Sequence, residues 1–153
     1  MADSIKELIM RDVMAALATI SQANGYGNDI GKIERWQAVG MDQHASTILE
    51  VKQGGDVPRE GFLGIDARTL SVKIFVKVRH DPDVDGLATD VVTNALEADI
   101  HKALMADRPR GGLADRTVFA LSDENELEEG AGRVIKALEY LVEYRHSLTD
   151  VTQ

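Results

Sequence analysis

The sequence predicts a single α+β domain in which a mostly antiparallel sheet carries two long helices on one face. Two stretches, 4–22 and 84–106, repeat apolar residues at helical spacing and so predict amphipathic helices. Segment 70–78 alternates apolar with polar residues, as a half-buried strand does. The late segment 134–146, VIKALEYLVEYRH, alternates in the same way, and its tyrosines and β-branched residues favour strand over helix.

Composition limits the classes of function. The chain has 153 residues, enough for one core, and its 17 basic and 26 acidic residues give a formal charge of -9. That charge opposes strong binding to a nucleic-acid backbone, which requires clustered basic side chains. The lack of cysteine excludes disulfides and thiolate metal sites. Neither a signal peptide nor an apolar run of about 20 residues is visible, so we expect no membrane association.

The first helix has sequence signals at both ends. Ser4 and Glu7 have the spacing of a capping box, and Asn24 with Gly25 predicts a left-handed stop. Segments 33–39 and 46–51 then predict two short strands. Each amphipathic helix needs a sheet face on which to bury its apolar stripe, which is the basis of the predicted two-layer fold.

A glycine-rich segment of about 53–68 predicts a long loop or an extended hairpin arm. Segments of this length often contact a partner, and the block of charged and aromatic residues within this one provides candidate interface residues. These candidates are Arg59, Phe62 and Arg68.

The second half predicts the helix at 84–106, a break at 108–112, a strand at 117–121 and an acidic, solvated turn at about 122–133. Asp83 and Asp85 would favour the positive end of that helix dipole. The acidic turn supplies the remaining interface candidates, Glu126, Glu128 and Glu129.

One acidic motif resembles half of a calcium loop. Asp81, Asp83 and Asp85 precede the turn glycine Gly86, but the twelfth position, which requires a bidentate glutamate, is Val92. The pattern therefore favours a capped turn before a helix, and a calcium site remains the weaker interpretation.

No pattern of catalytic residues is visible, so we expect no enzyme and no cofactor. The glycines of GYGNDIG follow a helix and precede a strand, the reverse of a dinucleotide-binding loop. The four histidines do not lie at metal-ligand spacing, and no serine lies in a G-x-S-x-G motif.

The order of parts resembles the minor tail, tail completion or tail terminator proteins of long-tailed bacteriophages. The resemblance rests on NGYGNDIGKIERW after the first helix, LSVKIFVKVRHD, the helix VDGLATDVVTNALEADIHKAL, a GGL segment, an acidic turn and the strand ending EYLVEYRH. It covers nearly the full length, although each motif alone is chemically undiagnostic.

This resemblance implies a structural virion protein that acts by binding. Such a subunit would form a homohexameric ring at the head-proximal end of the tail, stop tail-tube polymerisation and provide the head or neck docking surface. Its partners would be the tail-tube protein and a head or neck completion protein, with DNA only passing through the lumen. Assembly would occur in the host cytoplasm, and the arm and the acidic turn would supply the two unlike patches that a ring requires.

Three alternatives remain open at this stage. A neck or head completion ring protein would share the fold and differ in its partner. A calcium-binding module would depend on the three aspartates of the half loop. A small metabolic enzyme would require a well-formed pocket with convergent polar groups.

Overall fold

A computed structural model describes residues 3–37, 45–59, 64–81, 83, 86–128 and 133–147 of the chain. The elements given for these residues are two α-helices and six strands, together with 3-10 turns at Gln22–Asn24 and Arg110–Gly112. The helices are α1 (Ile5–Ala18) and α2 (Thr89–Met105). The strands are β1 (Lys32–Arg35), β2 (Thr47–Arg59), β3 (Ile65–Val78), β4 (Arg116–Ser122), β5 (Glu126–Glu128) and β6 (Arg133–Ser147).

The strands form one mixed sheet in the order β1-β2-β3-β6-β4, with β5 also paired to β6. Every pair is antiparallel except β1 with β2, which is parallel. Strand β6 is central although it is the last of the described strands along the chain. The predicted α+β class and the mostly antiparallel sheet are confirmed.

Both helices pack on the same face of the sheet, here called the helix face; the opposite face is called the open face. The alternation predicted for β3 and β6 is confirmed, since every second residue enters the core and its neighbours turn to the open face. The helix-face core residues of these strands are Leu70, Val72, Ile74, Val76, Val78, Leu138, Tyr140, Val142 and Tyr144.

Helix α1 begins as predicted but ends earlier. The Ser4 hydroxyl accepts a hydrogen bond from the Glu7 amide at 3.2 Å, so the predicted cap is present. The helix ends with Thr19 as its C-cap. Gly25, with φ of 83°, ends the following 3-10 turn instead of the helix, so the predicted stop belongs to the next element.

Helix α2 begins at Thr89, so the predicted start at 84 is wrong. Gly86 has φ of 72° and residues 86–88 are not helical, because a left-handed residue interrupts the helical hydrogen bonding even where the apolar stripe continues. The acidic residue in the first turn is therefore Asp90, which takes the position expected for Asp83 and Asp85.

Of the arm predicted at about 53–68, residues 53–59 belong to β2 and residues 65–68 to β3, and these two strands pair antiparallel. A bulge between Gln53 and Asp56 shifts the register. At Gly54 a Cβ would come within 2.9 Å of the Ser71 Cβ, so glycine allows the strands to approach. Because the bulge adds one residue to β2, Asp56 pairs with Leu70 and lies on the helix face.

Two further predictions need adjustment. The acidic segment is not a turn throughout, since Glu126–Glu128 form β5 against β6. The strand predicted at 33–39 is shorter at its end, because β1 stops at Arg35 and residues 36 and 37 are not in a strand. Residues 38 and 39 lie outside the described residues.

A buried arginine joins α1 to the turn after α2. Arg110 is fully buried, and its guanidinium contacts the carbonyls of Leu104 and Asp107 and lies 3.3 Å from Asp12 Oδ2. Burial lowers the pKa of Arg110, and burial raises the pKa of Asp12 despite the opposing charge of the arginine. The φ of Arg110 is 50°, which is in the left-handed region. The side chain thus holds a strained turn against the first helix.

Candidate interaction surfaces

The two arginines predicted at the arm occupy opposite faces of the sheet. Arg59 pairs across the strands with Ala67 on the open face, and its Nε donates to the Arg68 carbonyl at 3.2 Å. Arg68 belongs to the helix-face set, where its Nε donates to Asp66 Oδ2 at 2.6 Å. Phe62, the third arm candidate, lies outside the described residues.

On the open face, Arg59 belongs to a group of charges that we call the arm-end cluster: Arg59, Asp115, Arg116, Glu143 and Arg145. Arg59 lies 3.1 Å from Asp115 and 3.7 Å from Glu143. Arg145 contacts Asp115 at 2.9 Å, and Arg116 contacts Glu143 at 2.5 Å. Three cations thus meet two carboxylates, and this end of the sheet carries a local positive excess on an acidic protein.

Exposure and pKa shifts show how the arm-end cluster is arranged. The side chains of Arg116 and Arg145 are 57% and 52% exposed, so parts of both guanidinium groups face solvent. The hydrogen bond from Arg116 lowers the pKa of Glu143. Partial burial by itself would raise the pKa of Asp115. The hydrogen bonds from Arg145 and Arg59 outweigh it and hold the pKa of Asp115 below its ordinary value. Both carboxylates are therefore ionised at neutral pH.

The helix face of the same arm carries a second polar group around Asp56. Its Oδ2 accepts from the Tyr144 hydroxyl at 2.9 Å and from Arg68 at 3.3 Å, and Lys6 of α1 lies 3.6 Å away. Partial burial opposes ionisation, but Tyr144 and the two cations lower the pKa of Asp56. A cavity of about 250 Å³ adjoins these groups. Because its charges are mutually paired, the group fastens the arm to α1.

A pocket of about 400 Å³ opens at the arm end, lined by Gly64, Ile65, Arg145, His146 and Ser147. Ile65 is 39% exposed and contributes apolar surface. His146 Nε2 lies 3.2 Å from Asp66 Oδ2. We call this feature the arm-end pocket. Its lining combines an apolar residue with a partly free arginine, which suits a mixed apolar and acidic ligand.

The acidic candidates lie at the other end of the sheet. Glu126 belongs to β5, where it pairs with Ile135. Its neighbour Leu127 is 75% exposed. Glu128 is also in β5, whereas Glu129 lies outside the described residues. We call residues 123–128 the acidic end.

The acidic end differs electrostatically from the arm end. Asp123, Glu124 and Glu126 are exposed, and none of them forms an ion pair with a basic side chain of the described residues. Ile135, the partner of Glu126, and Arg145 lie ten positions apart on β6. At the rise of an extended strand this separation is about 33 Å. One sheet therefore has an acidic end and an arginine-rich end.

The described part of the half calcium loop does not form a cage. The Asp83 amide donates to Asp81 Oδ1 at 3.0 Å, a bond typical of a local turn. Val92, at the twelfth position, lies on α2 and packs against the core. Among the described residues no three potential metal ligands converge. Asp85 lies outside the described residues.

An aromatic groove between α2 and β4 was not anticipated from sequence. It has a volume of about 700 Å³ and includes His101 and Phe119, whose rings meet edge to face at 5.4 Å. The Tyr140 hydroxyl lies 3.5 Å from His101 Nδ1. Burial, with the charge of Glu97, raises the pKa of Tyr140, so its phenol keeps its proton at neutral pH.

Among the described residues no helix is both long and apolar enough to cross a membrane. No family model matches the chain, and no curated protein matches it. Among solved structures, the chain is similar to a chain of one described as "Virion of native gene transfer agent (GTA) particle". Their identity is 17%, the match covers 94% of this chain and 92% of that chain, and the TM-score is 0.47.

Proposed function

We propose that the protein is a structural virion protein that forms a ring at the head-proximal end of a phage tail. There it would terminate polymerisation of the tail tube and provide the docking surface for the head or neck. The order of sequence motifs from NGYGNDIGKIERW to EYLVEYRH supports this proposal by its resemblance to the tail terminator and tail completion proteins.

The observation that carries the proposal is the difference between the two ends of the sheet. A cyclic ring of more than two identical subunits needs heterologous contacts, in which one patch meets a different patch on the next copy. Arg116 and Arg145 expose guanidinium groups at one end, and Glu126 exposes a carboxylate at the other. Unlike, oppositely charged patches about 33 Å apart are what a head-to-tail contact requires.

The net charge agrees with a ring through which DNA passes. A formal charge of -9 disfavours adhesion to a polyanion, so DNA would move past the protein without being held. Function would then reside in contacts with other proteins: copies of this chain, the tail-tube protein and a head or neck completion protein.

The test is to polymerise the cognate tail-tube protein with and without the purified chain and to measure tube lengths by electron microscopy. We expect shorter tubes of narrower length distribution, with an annular cap at one end. Arg11→Glu serves as a surface-charge control, because Arg11 is an exposed helix residue that pairs locally with Asp3 and Glu7. This variant is expected to cap tubes like the unmodified chain.

Unchanged tube lengths without capped ends would contradict the terminator role. Capture of the chain by DNA-filled heads but not by tubes would instead favour a neck or head completion ring. Both experiments use the full chain. The partner that binds it therefore distinguishes a tail terminator from a neck or head completion protein.

A further inference from the structure

We infer that Leu127 and the exposed carboxylates of Asp123, Glu124 and Glu126 of one copy dock at the arm-end pocket of a second copy. This inference rests on the proposed function, because a ring supplies the second copy in a fixed orientation. It identifies which surfaces meet: an acidic edge strand with one apolar side chain, and a pocket with an apolar wall beside an arginine.

The first surface is an edge strand with an exposed leucine. Strand β5 pairs only with β6 in the described sheet, so its other edge is open to a partner. A single exposed leucine is ordinary on a protein surface. Leu127 differs in that it lies on this edge strand, where the adjacent Glu126 points to the opposite face and the exposed Asp123 and Glu124 precede both.

The second surface complements the first in polarity and charge. The arm-end pocket offers the partly exposed Ile65 as an apolar contact for a leucine side chain. Arg145 uses its Nε to hold Asp115 at 2.9 Å. A guanidinium has five N–H donors, so Arg145 retains donors for a carboxylate of the neighbouring copy.

The two surfaces belong to different copies for a geometric reason. They lie at opposite ends of the long strand β6, about 33 Å apart, so one chain does not bring its own Leu127 to its own pocket. The contact is therefore heterologous, and repeating it builds a ring if the rotation between copies closes.

The absence of native cysteine allows a direct test by cross-linking. Full-length Leu127→Cys and Ile65→Cys chains are prepared separately, mixed, and treated with a short bis-maleimide. We expect a cross-linked dimer in the mixture that neither variant forms by itself. A chain carrying both cysteines should give a series of cross-linked oligomers, the largest of which contains as many copies as the ring. Val91→Cys, a half-exposed site on α2, replaces Ile65→Cys as the matched control and should give no dimer.

A charge exchange tests the same contact without new chemistry. Arg145→Glu and Glu126→Arg should each raise the concentration needed for half-assembly by about tenfold or more, because like charges then face each other. Both changes in one chain should restore assembly, because each contact between copies again joins one acidic and one basic side chain. Circular dichroism of each variant separates loss of assembly from loss of folding.

The outcomes distinguish this inference from the proposed function. Rings seen by native mass spectrometry, without the mixed cross-link and without charge rescue, overturn the inference and leave the ring function standing. Cross-linking of Leu127→Cys to itself also overturns the inference, since it indicates a symmetric contact. Failure to assemble at any concentration, together with unchanged tube lengths, overturns both.

Discussion

The hydroxyl of Tyr144 donates a 2.9 Å hydrogen bond to Oδ2 of Asp56, and this bond joins the last strand to the arm. The two residues lie on strands that are not adjacent, with β3 between them. Burial and the bond to Asp56 raise the pKa of Tyr144, so the phenol remains a donor at neutral pH. The bond reaches across β3 on the helix face.

Removing this bond should destabilise the protein measurably. Tyr144→Phe is expected to lower the free energy of unfolding by about 1.5–3 kcal/mol, as for a hydrogen bond to a charged group. Urea denaturation provides the measurement. Tyr26→Phe is the matched control, because the Tyr26 hydroxyl has an exposed 3.3 Å contact with Thr19. Equal effects of the two substitutions would contradict the assigned role of Asp56.

Arg110 offers a test that separates side chain from backbone. Arg110→Ala removes the contact with Asp12 and the contacts with two carbonyls, and we expect a loss of about 3 kcal/mol. Arg110→Gly should be less harmful by about 1 kcal/mol, since glycine accepts the φ of 50° without strain. Thermal and urea unfolding measure both, with the exposed Arg11→Ala as control. If the glycine variant were no more stable than the alanine variant, the backbone strain assigned to position 110 would be contradicted.

The core face of β6 should be far more sensitive than its open face. Leu138 is fully buried, whereas Leu141 points to the open face and is partly exposed. Leu138→Ala is expected to lower the free energy of unfolding by about 2–5 kcal/mol. Leu141→Ala removes the same atoms from a less buried site and should have a smaller effect. Comparable losses in urea denaturation would show that the open face is packed as tightly as the core.

Stability should fall in acid because the paired carboxylates have lowered pKa values. Asp56, Asp115 and Glu143 all shift downward from ordinary values of 3.8, 3.8 and 4.5. Their contribution is fully present above those ordinary values and is lost as the pH falls through the lower folded pKa. Glu143→Gln should therefore flatten the dependence of unfolding free energy on pH below about 5.

The control for this pH experiment is Glu124→Gln, an exposed carboxylate of the acidic end. It forms no ion pair with the described residues, so its variant should keep the slope of the unmodified chain. Urea denaturation at a series of pH values measures both. If the unfolding free energy of Glu143→Gln depended on pH as steeply as that of the unmodified chain, the arm-end cluster would not contribute to the pH dependence of stability.

Calcium should not bind the half loop at Asp81 and Asp83. The position that should complete the oxygen shell is Val92, whose side chain packs against the core from α2. Titration calorimetry with calcium is expected to show no saturable heat. Binding of one calcium ion per chain would contradict this expectation and revive the calcium-module alternative.

The sequence predicted the long strands well because their signal is repeated many times. In β3 and β6 the period of two continues over residues 70–78 and 136–144, so single exceptions do not obscure it. The start of α2 was mispredicted for the opposite reason. Gly86 has a left-handed backbone conformation and residues 86–88 are not helical, although the apolar spacing of the helix already includes Leu87.

The assignment of the candidate interface residues to an interface stays a prediction, and only some of their surroundings could be read from sequence. Arg59, Arg68 and Glu126 stood out because they lie in unusual segments, but their faces depend on the bulge and on register, which a single sequence does not encode locally. Asp115, Glu143 and Arg145 were missed, because they join Arg59 only through the pairing of distant strands. The hydrogen bond between Tyr144 and Asp56 depends on the same bulge.

The central place of β6 has a consequence for biosynthesis. Strands β3, β4 and β5 all pair with this strand, which is the last of the described strands to leave the ribosome. Until it emerges, one long edge of β3 has no partner, and neither end of the sheet can take its final form. The proposed contact between copies, which uses both ends of the sheet, therefore becomes possible only in this late step.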